Sequence, residues 1–307
     1  MSGGYGVLSK EKPAENPTSG VQPGDTGCEG VGVITQTSDV EEWPIGQPVS
    51  FFGYGVAFRE VVVLPVESLI KIPSPDKEYT ALPVSALTAV GGLLLVGKIN
   101  SFDDDKKPSV LVTGAAGGTG HMAVQFAKLH GARVAGTCGS EEKSKMLSSI
   151  GTDVVVNYRT SADVENELRR AFPDGFDMVY DAVGGRIGNI GRRLLSPTGV
   201  FIGIGSVSQD YAGGAPDAAN KADESKAVLK QGQSESFFFM PAAPQMIGKR
   251  AWNNIITETV EQIATGKLRV VMDEESRAFS GIEGVYKAQD RMRQGLNIGK
   301  IFCTFQA

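Results

Sequence analysis

The stretch that most constrains this chain is Val110–Gly120, VLVTGAAGGTG. Val110, Leu111 and Val112 form a short apolar run, and glycines follow at 114, 117, 118 and 120. Next comes HMAVQFAKLH, where Met122, Ala123, Phe126 and Ala127 recur at helical spacing. A strand passing through a glycine turn into an amphipathic helix suits a dinucleotide pyrophosphate. Glycine lets the backbone approach the phosphates, and the helix start offers unpaired N–H groups and the positive end of its dipole. A tight strand-to-helix turn that binds nothing also needs glycine, so the flanking elements give the pattern its weight.

The surroundings of this stretch alternate in the same way. A helix over Val84–Val96 precedes it. After it, strands at Arg133–Thr137, Val154–Asn157, Phe176–Ala182 and Val200–Ile204 are separated by helices at Glu141–Ile150, Ala162–Ala171 and Ile187–Leu195. Such an order with short connections implies a doubly wound parallel sheet covered by helices on both faces. Residues before about Ala81 read differently. Strands at Cys28–Thr35, Val49–Phe52, Ala57–Leu64 and Ser68–Ile72 form an antiparallel-looking β region. Gly205–Ser236 is a long polar segment with a possible helix at Lys221–Lys230. It is either a substrate-facing element or a plain surface excursion. Phe237–Met240 reads as a strand, Trp252–Ala264 and Ile282–Met292 as helices, and Lys300–Phe305 as a last strand. The 307 residues suit two domains.

Composition excludes several classes. A net charge of −5 gives no reason to expect a nucleic-acid partner. Only two histidines, His121 and His130, argue against a Ser-His-Asp hydrolase or a histidine-rich metal site. Cys28, Cys138 and Cys303 are too few and too scattered for a disulfide framework, which favours a reducing compartment. Met1–Gly27 is polar and rich in glycine and proline, with no apolar core of a signal peptide. The longest apolar run, Ala86–Val96, is too short for a bilayer, so no membrane partner and a cytoplasmic location are expected. Asp103–Asp105 with Lys106 and Lys107 read as a solvated connector.

The cofactor is legible at the end of the second strand. NAD-specific sites place an acid there, roughly 20 residues past the glycine turn, to bind the ribose hydroxyls. Here the strand ends in Cys138-Gly139-Ser140, with no acid. Ser140, Lys143 and Tyr158 offer a hydroxyl, an ammonium and a phenol to a 2′-phosphate, which favours NADPH over NADH. Glu141 and Glu142 at the helix start suit the dipole and are expected to point outward. Thr113–Gly120 also satisfies the TGxxxGxG pattern of short-chain dehydrogenases. That family places the motif near its N-terminus and needs Tyr-x-x-x-Lys, which none of the seven tyrosines here provides.

Taken together, VLVTGAAGGTGHMAVQFAKLHGARVAGTCGSEEKSKML, VVVNYRT, DMVYDAVGG, GVFIGIGSVS and FSGIEGVYKAQDRMRQGLNIGKIFCTF resemble the zinc-free branch of the medium-chain dehydrogenase/reductase superfamily, of quinone reductase or zeta-crystallin type. The resemblance runs from about Pro23 to the end. It implies a Rossmann NADPH-binding domain, 82–267, inserted in a GroES-like β catalytic domain formed by 1–81 and 268–307. Gly117, Gly118, Thr119 and Gly120, with Ala116 beside them, then match the pyrophosphate turn. Ser140, Lys143 and Tyr158 match the 2′-phosphate pocket. Val183, Gly205 and Phe239 lie where strand ends line the nicotinamide, Thr88 approaches it from the first helix, and Asn297 contacts the cofactor from the catalytic domain. Tyr5 matches a cleft-facing tyrosine and is the expected catalytic hydroxyl.

Two departures carry expectations of their own. Cys28-Glu29 stands where the zinc enzymes have histidine before glutamate, and there is no four-cysteine lobe, so no metal is expected. Gly3-Gly4-Tyr5 nearly opens the chain, so the family's first strands are expected to be missing and Met1–Gly27 to be a loop flanking the active site. The resemblance implies hydride transfer from NADPH to an α,β-unsaturated carbonyl or a quinone, in a homodimer. Phe51, Phe52, Tyr54 and Phe237–Phe239 are candidates for an apolar substrate pocket or for plain core. Two rival functions stay open: an NADPH-binding protein with little or no catalysis, and an enoyl-thioester reductase.

Overall fold

The structure, a computed structural model, describes residues 27–102, 107–205 and 226–305, with the backbone alone of Tyr5–Leu8. Two sheets organise it. The first contains β1 (Tyr5–Leu8), β2 (Glu29–Gln36), β3 (Pro48–Phe52), β4 (Val61–Leu64) and β5 (Leu69–Lys71), in the order β4-β1-β2-β3-β5. β3 runs antiparallel to β2 and to β5, as the sequence suggests. β1 runs parallel to both β2 and β4, so the sheet is mixed, and Tyr5–Leu8 is a strand inside it rather than part of a loop. The chain between Leu8 and Glu29 has the length that the crossover of a parallel pair requires. β4 is shorter than the expected Ala57–Leu64 because Phe58 takes a left-handed φ of 59°, which ends any strand.

The second sheet is fully parallel. Its strands are β6 (Ser109–Val112), β7 (Arg133–Cys138), β8 (Val154–Asn157), β9 (Phe176–Asp181), β10 (Leu195–Gly203) and β11 (Ser234–Phe237), in the order β11-β10-β9-β6-β7-β8. Two half-sheets grow outward in opposite directions from β6 and β9. That reversal opens a crevice at the carboxyl ends of the two strands, the place where doubly wound folds bind ligands. Alternate residues serve opposite faces: Val110, Val112, Met178, Tyr180 and Ile202 join one core cluster, and Leu111, Val179 and Phe201 the other. The second cluster is closed by helices whose Val164, Leu168, Ile187 and Ile190 pack against it.

Under the first face lies a helix spanning Lys77–Val96. Its middle is α1 (Leu87–Gly91), with widened π turns at Leu82–Ala86 and Gly92–Val96. Because it starts before Pro83, it is long and apolar enough to cross a membrane, against the reading that stopped at Ala86–Val96. Most of it is buried: 72% of its apolar window lies inside the protein, which is the burial of a core helix. Glycine makes that contact possible, since a Cβ on Gly91 would stand 2.4 Å from the Phe238 ring. Among the described residues, four helices follow in the parallel sheet's crossovers: α2 (Gly120–Leu129), α3 (Glu141–Ser149), α4 (Val164–Ala171) and α5 (Gly185–Arg193).

The tail adds α6 (Ala243–Ile247), α7 (Lys249–Ala264) and α8 (Gly281–Arg293). Its expected last strand is reduced to isolated bridges at Gly299, Lys300 and Thr304. β11 ends at Phe237, earlier than expected, and the alternation continues past it. Phe238 is buried, while Phe237 and Phe239 are exposed, so of the three rings only Phe238 is core. The connector 103–106 and residues 206–225 lie outside the described residues, as does most of Met1–Gly27. The described part of the expected Lys221–Lys230 helix, 226–230, is not helical.

Candidate dinucleotide site

β6 delivers the chain to the crevice, and the glycine turn reverses it there. Gly114 has a φ of +56°, a conformation that L side chains rarely adopt. The Gly117 N–H closes the turn on the Gly114 carbonyl at 3.0 Å, and the Ala115 N–H ties it to Thr137 of β7 at 3.0 Å. A Cβ on Gly120 would sit 2.4 Å from the Gly114 oxygen, so only glycine starts α2 at this distance. Thr119 precedes α2 without a side-chain cap, and the His121 N–H is taken by the Gly117 carbonyl at 3.2 Å, so the positive end of the helix faces the turn.

At the end of β7 the structure gathers Ser140, Lys143 and Tyr158. A Cβ on Gly139 would lie 2.6 Å from the Tyr158 hydroxyl and 3.3 Å from Arg159 Nε, so Arg159 joins the group. Burial, with the Arg159 guanidinium next in effect, lowers the Lys143 ammonium below the ordinary lysine value. Lys143 Nζ donates to the Gly295 carbonyl at 2.6 Å. Ser140 also has a structural duty. It caps α3 by accepting the Lys143 N–H at 3.3 Å. The exposed Glu142 carboxyl is held below its usual range by its own backbone N–H and the Ser140 hydroxyl, which is the helix-start role expected of it.

The tail locks the turn from above. Gly299 N–H donates to the Ala116 carbonyl at 2.8 Å. His121, fully buried in α2, contacts the Gly117 carbonyl through Nδ1 at 2.8 Å and accepts the Val271 N–H on Nε2 at 3.1 Å. Accepting on Nε2 makes Nδ1 the donor, and burial depresses the ring to about 4, so it is neutral. His121 is therefore structural. Asp273, wholly buried, accepts from Arg291 Nε at 2.9 Å and from the Ile298 N–H at 2.8 Å. It thereby shapes the loop that carries Asn297. Asn297 Nδ2 reaches the Gly299 carbonyl at 3.4 Å.

A cavity of about 530 Å³ opens beside the turn, lined by Gly118, Thr119, Asn297 and Lys300 and walled by Phe51, Phe58, Val285, Met292, Phe302 and Phe305. On its polar side Lys300 Nζ is ion-paired with Glu29, and the other Glu29 oxygen accepts the Val84 N–H at 3.0 Å. Ser85 Oγ lies 3.5 Å from the same ammonium. Cys28, next to Glu29, is pushed up to about 11 by burial. Glu29 is thus engaged by an ammonium and an amide, and the single Cys28 beside it makes too small a ligand set for a catalytic zinc. Among the described residues no three His, Cys, Asp or Glu side chains stand together as a metal site.

The nicotinamide-side residues fall elsewhere. Val183 lies against Gly114, whose Cβ would stand 3.1 Å from it, and Gly205 lies beside the Ala182 carbonyl. Between them Asp181 ends β9. Its carboxyl, raised by burial, accepts Thr113 Oγ1 at 2.6 Å and the Gly184 N–H at 3.0 Å. Thr88 is buried in α1, Phe239 is exposed past β11, and neither they nor Val183 and Gly205 line the large cavity. The Tyr5 side chain lies outside the described residues. Sequence reasoning missed Arg159, Asp273 and the Glu29–Lys300 pair. Arg159 alone carried a local signal, as the neighbour of Tyr158.

This crevice, its glycine turn and the cations beside it define a dinucleotide-binding protein. The family model described as a zinc-binding dehydrogenase matches residues 118–240. A probable quinone oxidoreductase of Leishmania amazonensis is 35% identical over 288 residues, covering 92% of this chain and 81% of that one. Prostaglandin reductase-3 of Bos taurus is 37% identical over 288 residues, covering 91% and 72%. The structure of Escherichia coli quinone oxidoreductase complexed with NADPH aligns with a TM-score of 0.70 at 20% identity, over 91% of this chain and 81% of that one, a likeness of fold. The chain belongs to the medium-chain dehydrogenase/reductase family of oxidoreductases, in the branch that holds quinone oxidoreductases and prostaglandin reductases.

Proposed function

We propose that this chain is an NADPH-dependent reductase of α,β-unsaturated carbonyls, such as alkenals and oxo-lipids, or of quinones. The observation that carries the reading is Tyr158 and Arg159 against Gly139, with the Lys143 ammonium close enough to feel the Arg159 charge, at the end of a β7 that lacks the acid of an NAD site. Two cations and a phenol suit a phosphate dianion, and they have no use for a bare ribose. The Gly117–Gly120 turn and the start of α2 hold the pyrophosphate, and Val183 and Gly205 line the crevice at the ends of β9 and β10.

When bound, NADPH supplies the hydride. The chain's own task is to orient the acceptor, exclude water and stabilise the oxygen on which negative charge develops. Tyr5 is our candidate for the hydroxyl that donates to this oxygen, on the resemblance already described. No step is assigned to a metal. The aromatic and aliphatic wall of the 530 Å³ cavity suits the apolar part of an alkenal, oxo-lipid or quinone. The exposed edge of β11 is our candidate for pairing two copies, and the cytoplasm for the location.

The test is to follow cofactor absorbance with NADPH and NADH against 2-alkenals, quinones and oxo-lipids. Faster turnover with NADPH on at least one class supports the reading. Preference for NADH overturns the cofactor assignment, and NADPH binding without turnover on any class overturns the reductase.

A further inference from the structure

The loop Gly295–Lys300 links Lys143, the glycine turn and the cavity. At its start the Gly295 carbonyl accepts Lys143 Nζ at 2.6 Å. In its middle the buried Asp273 carboxylate holds the Ile298 N–H at 2.8 Å. At its end the Gly299 N–H is bonded to Ala116 inside the glycine turn, and Asn297 and Lys300 line the cavity. Lys143 thus belongs to two structures: the pocket at the end of β7 and the loop that reaches the cleft.

We propose that Lys143 couples the two, its ammonium bridging the 2′-phosphate and the Gly295 carbonyl so that a 2′-phosphorylated dinucleotide fixes the loop and with it Asn297. The proposal rests on the NADPH reading above. An ammonium has three donors, and the Gly295 bond uses one, leaving two for phosphate oxygens. A phosphate dianion fixes the position of the ammonium and offsets the burial and the Arg159 charge that disfavour its protonated form, so the donor to Gly295 is held in place. The loop has little freedom to absorb that change, since Asp273 and Ala116 pin it further along. With an unphosphorylated ribose, Lys143 is anchored by the carbonyl alone. A phosphate pocket that only binds would discriminate in cofactor affinity. A coupled loop also discriminates in turnover once the cofactor is saturating.

Amide hydrogen exchange on the full chain tests this, with saturating adenosine 2′,5′-bisphosphate compared with saturating adenosine 5′-monophosphate. The expected result is exchange at Ile298, Gly299 and Lys300 slowed about tenfold more by the bisphosphate. Lys143→Met removes the difference and Lys143→Arg keeps it. In turnover, Lys143→Met lowers kcat at saturating NADPH to the value seen with NADH, besides raising KM. Equal protection by the two saturating nucleotides, or a Lys143→Met effect confined to KM, overturns the coupling and leaves the NADPH reading intact. A bisphosphate that binds no more tightly than the monophosphate overturns both.

Discussion

His121 and Val271 are joined by a hydrogen bond from the Val271 N–H to His121 Nε2 at 3.1 Å, across a separation of 150 residues. Through its other nitrogen the same ring touches the Gly117 carbonyl, so one buried imidazole ties the phosphate turn to the returning tail. The bond exists only while the ring is neutral, and this gives a pH dependence. The folded-state value is about 4, below the ordinary 6.5. Between these values the unfolded chain binds a proton that the folded one does not. Stability is therefore fully present above about pH 6.5 and falls as pH drops toward 4, by roughly 3 kcal/mol. Denaturant titrations across this range show the slope, and His121→Gln flattens it while lowering stability throughout.

Gly120 and Gly118 are expected to answer differently to alanine. At Gly120 the new Cβ meets the Gly114 carbonyl at 2.4 Å, backbone against backbone. Gly120→Ala therefore shifts the turn, lowers Tm and abolishes NADPH binding. At Gly118 the nearest atom is Ser85 Oγ at 3.1 Å, a side chain that can rotate. Gly118→Ala keeps most of the stability and weakens NADPH binding. Thermal melts and cofactor titrations on the two variants separate folding from binding.

On the proposed NADPH reading, Arg159 shares the cofactor preference with Lys143. Removing a hydrogen bond to a charged group costs about 1.5–3 kcal/mol, so Arg159→Ala raises Kd for NADPH tenfold or more. Kd for NADH is expected to stay within about twofold, because that cofactor has no phosphate to lose. Fluorescence titration with both cofactors measures it.

The Glu29–Lys300 pair is mostly buried, with about an eighth of each side chain exposed: 15% for Glu29 and 12% for Lys300. Breaking a fully buried pair from one side costs about 3–5 kcal/mol, and this exposure brings the expected cost of Glu29→Gln or Lys300→Met to about 2–3 kcal/mol. The double variant is expected to be more stable than either single one, since no charge is left without a partner. A double-mutant cycle in urea gives the coupling directly.

Much of this architecture was legible before any coordinates. The sequence places the glycine turn, the parallel alternation and the acid-free end of β7, because each rests on neighbours within one βαβ unit, where periodicity and turn chemistry act locally. The family resemblance drew on the same local runs. Local pattern misled where long-range pairing or backbone conformation decided. β1 entered a sheet that strands alone suggested was antiparallel, and Phe58 cut β4 short.

What only the tertiary structure decided is how the tail serves the site. Lys300 meets Glu29 from 271 residues away, and Asp273, Gly295 and Val271 reach the turn and the Lys143 pocket from beyond β11. No spacing rule connects such residues. Their meeting depends on the chain returning to the first sheet, where burial removes competing water and makes each of these polar contacts necessary. The sequence by itself determined that a strand, glycine turn and helix of a dinucleotide fold would form, because those signals are local. The fold determined which distant residues close over them.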